Sequence, residues 1–213
     1  MAKLKKLIVA CDGGAASGKS TGAKLLSKKY KLLLINSGLI YRYCSKMIIL
    51  HKPKNIISFL KRKFKKISYK AISKQKLHSE EISNHVGIIA KKKEVRKIVN
   101  QVQMKVIRAN NRICVEGRDI ASKILAKSPK YDVAFYFKCS LDVAAYRRWL
   151  ELKKSVPLKN VKKSLRFRTT LDKKRKNSPL VKVNDSIVIR SDKLNKKQVL
   201  AKMSKEVNQV IKN

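Results

Sequence analysis

Apolar residues gather in five short runs along the chain: Leu7-Ile8-Val9-Ala10-Cys11, Leu32-Leu33-Leu34-Ile35, Ile113-Cys114-Val115, Val133-Ala134-Phe135-Tyr136-Phe137 and Ile187-Val188-Ile189. Runs this short and this uniformly apolar predict strands buried on both faces. Between and after them the period changes to that of a helix. Lys19 to Lys28 carries Ala23, Leu25 and Leu26, and Lys92 to Asn110 carries Val95, Ile98, Val99, Val102 and Val106. Leu141 to Lys153 reads as another helix. A last one begins near Asn195, with Asn195 and Gln198 at cap and third position and Val199, Met203, Val207 and Val210 as its buried stripe. Strands alternating with helices predict an α/β fold in three layers, α/β/α, around a parallel sheet. The Asn36-Ser37-Gly38 turn then falls at the carboxyl end of a strand, the edge where open parallel sheets bind ligands.

Between Tyr43 and Ser83 this order lapses. Pro53 interrupts any long helix, Lys61-Arg62-Lys63-Phe64-Lys65-Lys66 is a basic run, and the periodicity is poor, so an inserted, mobile lobe is expected over 43–83. The run reads as a solvated basic face; a nucleic-acid patch, with Phe64 and Tyr69 among the lysines, is the rival reading. A chain of 213 residues accommodates one such α/β domain and a small inserted lobe. No stretch is apolar for long enough to span a membrane, and Met1 to Lys6 lacks a signal-peptide pattern, so a cytoplasmic location is expected. Cys11, Cys44, Cys114 and Cys139 show neither disulfide-scaffold nor zinc spacing and are expected to be reduced.

One motif carries specific chemistry. Gly13-Gly14-Ala15-Ala16-Ser17-Gly18-Lys19-Ser20-Thr21 contains G-x-x-x-x-G-K-[ST], set between the first strand and the first helix. Glycines let backbone N–H groups curl around phosphate oxygens, Lys19 reaches the β- and γ-phosphates, and the Ser20 hydroxyl can ligate Mg²⁺. The helix that follows aims its N-terminus at the same anion. Charge is the second unusual feature: 54 Lys and Arg face 13 Asp and Glu, a net +41. Only 12 of those 54 are Arg, while Lys is spread along the whole chain, the pattern of general compositional drift. Specific phosphate contacts favour the planar guanidinium fork, so the arginines are the cations to follow. The lysine excess implies non-specific polyanion binding at low salt, fading as salt rises.

Polar clusters close several of the predicted elements: Ser37-Gly38-Leu39-Ile40-Tyr41-Arg42, Val95-Arg96, Glu116-Gly117-Arg118-Asp119, Arg147-Arg148-Trp149-Leu150-Glu151-Leu152, and Arg168 to Arg175 ahead of Ser178-Pro179-Leu180. With the phosphate loop, and in this order from Val9 nearly to the C-terminus, they make the chain resemble bacterial cytidylate kinase, the (d)CMP kinase branch of the nucleoside-monophosphate kinases. The resemblance implies a P-loop fold with a small inserted NMP-binding lobe and a short lid at about 153–164, ATP as co-substrate with Mg²⁺, and CMP or dCMP as acceptor. It assigns Arg42 and Arg118 to the acceptor phosphate, Ser37, Arg96, Asp119 and Arg175 to cytosine, and Arg168 and Asp172 to the pentose. Arg147 and Arg148, on the helix leading into the lid, would contact donor phosphate, and Glu116 would serve Mg²⁺ indirectly. The family is mostly monomeric.

Such a set suits phosphoryl transfer, which is catalysed by positioning and charge neutralisation more than by proton transfer. An ionised Asp119 can accept from the cytosine 4-amino group and would repel the O4 of uracil. The sequence departs from the family pattern at Gly14, where a proline is usual, and at Gly87, where a serine contacts the pentose. Ala144 stands where an arginine is frequent, and Thr169 and Arg190 stand where aspartates are. Two other readings compete: a different small-molecule P-loop kinase, such as an adenylate or shikimate kinase, and a degenerate P-loop protein that binds RNA or the ribosome through its basic surface.

Overall fold

The computed structural model describes residues 5–212. They fold into two compact units, one made of residues 5–35 with 111–212, the other Asn36–Asn110.

The first unit is built on a five-stranded sheet: β1 (Leu7–Gly13), β2 (Leu33–Asn36), β3 (Arg112–Gly117), β4 (Val133–Lys138) and β5 (Ile187–Arg190), in the order β2-β3-β1-β4-β5. The pairs β1–β3, β1–β4 and β4–β5 are parallel, with Cys11 opposite both Glu116 and Phe135. Each strand coincides with one of the five apolar runs. Alternate residues of β1 point to opposite faces, and Leu7, Ile8, Val9, Ala10 and Cys11 are all fully buried, so both faces of the sheet's central strand are covered.

One face carries α1 (Lys19–Lys29) and α9 (Lys196–Lys212). Leu7, Val9 and Cys11 pack there with Ala23 and Leu26 of α1, Phe135 and Phe137 of β4, and Val199, Met203 and Val207 of α9. The approach is tight at Gly22, where a side-chain carbon would lie 2.6 Å from the Phe137 ring. The expected cap of α9 is present in reciprocal form: Gln198 N donates to Asn195 Oδ1 and Asn195 N to Gln198 Oε1, both at 2.9 Å. A second cluster joins α7 (Leu141–Glu151) to α8 (Leu158–Lys174) through Ala144, Ala145, Val161 and Leu165, with Ala15 and Ala16 of the glycine-rich loop against it. The link between these helices turns through Lys153 and Lys154, both at positive φ.

The second unit is helical: α2 (Ser37–His51), α3 (Ile56–Lys66), α4 (Tyr69–Ser73), α5 (Glu80–Ile89) and α6 (Lys93–Arg108). Most of 43–83 is thus regular, although poor periodicity was the expectation there. The reason lies in the caps. Asn36, Asn55, Ser68 and Ser79 each accept a hydrogen bond from the backbone N–H three residues on, at Leu39, Ser58, Ala71 and Ile82. Each satisfies an orphan donor at a helix start, and α2 adds a buried stripe of its own at Ile40, Tyr43, Cys44, Met47 and Ile48. Pro53 sits in the link between α2 and α3.

Candidate active site

The glycine-rich loop leaves the end of β1 and enters α1, as its sequence requires. Ala16 and Gly18 take positive φ (53° and 80°), which turns successive N–H groups toward one concavity. Ser17 closes the loop on itself by donating to Gly14 O at 3.0 Å. No acid stands in the first turn of α1, so its N-terminal partial charge is left for an external anion.

Across the sheet edge, β3 supplies the counter-charge. Lys19 Nζ lies 3.1 Å from Glu116 Oε2, with the Lys19 side chain 11% and the Glu116 side chain 2% exposed. Just beyond the end of β3, Arg118 Nε donates to Asp172 Oδ2 at 2.8 Å, while its Nη1 donates to the carbonyls of Gly13 and, at 3.1 Å, Gly14. Arg175 reaches Asp172 Oδ1 at 3.4 Å and Asp119 Oδ1 at 3.6 Å, and its Nε donates to Ser178 O. Four of the expected residues, Arg118, Asp119, Asp172 and Arg175, therefore form one alternating and mutually neutral cluster beside the loop. Arg168 lies on α8, one turn before Asp172.

In the second unit, Arg42 on α2 donates to Leu77 O at 3.0 Å and to Ser83 Oγ at 2.8 Å. Ser37, buried at the start of α2, donates to Gln103 Oε1 at 2.6 Å. Arg96 on α6 is 4% exposed; it donates to Ala90 O and lies 5.7 Å from the centre of the Tyr41 ring. Gln103 had no part in the sequence reading, because a lone Gln on a helix gives no chemical signal.

Of the two arginines on α7, Arg148 pairs with Glu151 at 2.9 Å on the surface. Arg147 turns inward, donating to Ser191 Oγ at 3.0 Å and Ser191 O at 2.6 Å.

Asp12 was missed by sequence reasoning altogether. It is buried at the end of β1, and its carboxylate accepts from Ile120 N at 2.9 Å and Ala121 N at 2.8 Å, at the head of the π-helical turn Ile120–Ile124. It thereby ties the strand carrying the loop to the segment carrying Arg118 and Asp119. Burial pushes its carboxyl up to about 6, against the pull of those two N–H donors. An acid adjoining the first glycine of the loop was the available signal.

Together the loop, Lys19 and Arg118 can hold a polyphosphate, with nearby carboxylates as resting partners. Among the described residues no helix is long and apolar enough to cross a membrane.

Comparison with known proteins adds the family. In fold, the chain is similar to an uncharacterized protein from Eubacterium ventriosum, at a TM-score of 0.56 and 15% identity over 96% of this chain and 99% of that one. In sequence, it is 31% identical to a cytidylate kinase of Clostridioides difficile over 95% of this chain and 98% of that protein. It is also 31% identical to a bifunctional pantoate ligase/cytidylate kinase of Prochlorococcus marinus, matching over 93% of this chain but only 42% of the longer protein. The family model described as cytidylate kinase matches residues 9–209, from within β1 to within α9. With nearly all of its described structure inside that match, this chain belongs to the cytidylate kinase family.

Proposed function

We propose that this protein transfers the γ-phosphoryl group of MgATP to CMP or dCMP, giving ADP and CDP or dCDP. The observation that carries the reading is the convergence, at one edge of the sheet, of the phosphate loop, Lys19 and the Arg118–Asp172–Arg175–Asp119 cluster. An acceptor phosphate oxygen attacks the γ-phosphorus as the bond to the β–γ bridging oxygen breaks, so negative charge shifts toward the β-phosphate. Lys19 and the loop N–H groups meet that charge on the donor side. Arg42 and Arg118 hold the acceptor phosphate; Ser37, Arg96, Asp119 and Arg175 bind cytosine; Arg168 and Asp172 bind the pentose.

Mg²⁺ fits the donor set at the loop. Ser20 offers a hydroxyl at the start of α1, and the Glu116 carboxylate beside Lys19 supplies a hard oxygen partner through water. When bound, the ion would neutralise phosphate charge. Residues 153–164, with Arg148 on the preceding helix, act as the lid over the transferring group and exclude water, suppressing hydrolysis of ATP. The enzyme works as a cytoplasmic monomer, and its excess positive charge gives it salt-sensitive affinity for polyanions.

The test is a coupled ADP-release assay with MgATP against CMP, dCMP, UMP, AMP and shikimate, with Lys19→Ala as control. Turnover confined to cytosine nucleotides and lost in the control is expected. ATP binding without turnover of any acceptor would remove the kinase reading.

A further inference from the structure

Ser191 follows β5 and is almost wholly buried, yet it has no counterpart among the motifs of the site. Its backbone N–H donates to Lys138 O at 3.0 Å, which fixes it at the end of β4. Its hydroxyl donates to the carbonyl of Ser17, inside the phosphate loop, at 2.8 Å. The same oxygen accepts from Arg147 Nη1 at 3.0 Å, and Arg147 Nη2 holds the Ser191 carbonyl at 2.6 Å. The hydroxyl therefore uses its single proton on the loop and a lone pair on the guanidinium, a fully directed arrangement. It also lies against Gly18: a side-chain carbon placed there would meet Ser191 Oγ at 3.5 Å and Arg147 Nη1 at 3.7 Å. Asp192 extends the clasp by accepting from Ser140 N, at the N-cap of α7, at 2.7 Å.

We propose that Ser191, oriented by Arg147, is a positioning residue for the donor: it holds the Ser17–Gly18 part of the phosphate loop in its ATP-binding shape. The proposal rests on the reading that residues 13–21 bind ATP. It also changes the part given to Arg147. Its guanidinium works through the Ser191 hydroxyl on the loop backbone, rather than by touching the transferring phosphate. Ser17 O carries the restraint because the peptide it belongs to also presents Gly18 N–H, one of the donors that must face the anion. Fixing the oxygen fixes the plane of that peptide. Preorganised donors bind and stabilise phosphate charge without reorganising when it arrives, so loss of the restraint should weaken ATP binding before anything else.

The experiment compares wild type, Ser191→Ala and Arg147→Met by calorimetric titration with MgATP, by KM for ATP and for CMP, and by Tm. Both variants are expected to bind ATP about tenfold more weakly, the size of one lost hydrogen bond. KM for ATP should rise in step while KM for CMP stays within about twofold. Unchanged ATP affinity in both variants would overturn the proposal, and so would equal losses toward ATP and CMP, the mark of a merely structural role. If Ser191→Ala does not fold, Arg147→Met carries the same test. Failure of wild type to bind ATP, or indifference of that binding to Lys19→Ala, refutes the loop reading itself and is thereby told apart from failure of the Ser191 proposal.

Discussion

Lys19 and Glu116 neutralise one another at 3.1 Å, where the start of α1 meets the end of β3, and both are largely shielded from water. In the proposed reading, the cation that meets the donor phosphates thus has a carboxylate as its partner within the protein. Replacing Glu116 with Gln should leave a shielded ammonium without its counter-ion and lower stability by about 3 kcal/mol. ATP would restore the missing negative charge, so its stabilising effect should be larger on Glu116→Gln than on wild type. Thermal unfolding with and without ATP checks this; equal shifts in the two proteins would refute it.

Arg118 spans Asp172 and the carbonyls of Gly13 and Gly14, a reach that depends on the planar fork. Arg118→Lys keeps the charge and loses that geometry. With one or two charge-assisted bonds gone, kcat/KM for CMP should fall by about 10- to 100-fold. Steady-state kinetics with CMP varied at saturating ATP measures it, and a loss under about threefold would count against the assignment.

Asp12 makes stability depend on pH in the direction opposite to an ordinary paired carboxylate. Its folded value, about 6, lies above the ordinary 3.8 because burial disfavours the charged form. Between those values the folded protein keeps a proton that the unfolded chain has released, so stability falls as pH rises through the window and levels off above it. The span corresponds to about 3 kcal/mol. Asp12→Asn should remove that component, so the wild-type advantage over the variant shrinks from about pH 4 to about pH 6. Urea unfolding across this range gives the answer, and parallel curves for the two proteins would contradict it.

Gly87 lies inside α5, and a side-chain carbon there would meet nothing within 4 Å. Gly87→Ser should therefore fold, gain about 0.5 kcal/mol from helix propensity, and supply the hydroxyl that the family resemblance assigns to the pentose. The ratio of CMP to dCMP turnover is expected to move; an unaltered ratio would show that the sugar is read elsewhere.

The sequence announced the sheet well because each strand is built around a short apolar run, and α1, α6, α7 and α9 each carry a periodic stripe or a clear cap. The starts of α2 to α5 rest on single Asn and Ser caps that look like ordinary polar residues until the backbone closes over them, although α2 carries a helical stripe at Ile40, Tyr43, Cys44, Met47 and Ile48. The site divides similarly. Lys19, Arg118, Asp119, Asp172 and Arg175 were legible because charged residues recur beside glycine turns or in a spaced motif. Asp12, Gln103 and Ser191 were not, since each acts on backbone or on one distant partner, and such pairings are set by folding rather than by neighbours in sequence. Arg147 shows the limit most sharply: its identity was noticed, but the direction of its side chain depends on a serine that follows it by 44 positions.

The strand order has a consequence for how the protein is made. β1 sits in the middle of the sheet, yet its neighbours are β3 and β4, so Leu7 waits for Arg112 and Val9 waits for both Cys114 and Val133. On the ribosome the apolar strand that will carry the phosphate loop emerges before either partner and stays unpaired until about 100 further residues have followed. The helical unit of residues 36–110, which packs mostly upon itself, can settle in that interval. Assembly of the sheet is thus a late event governed by distant pairings, and β1, made before both of its partners, is among the last elements to be secured.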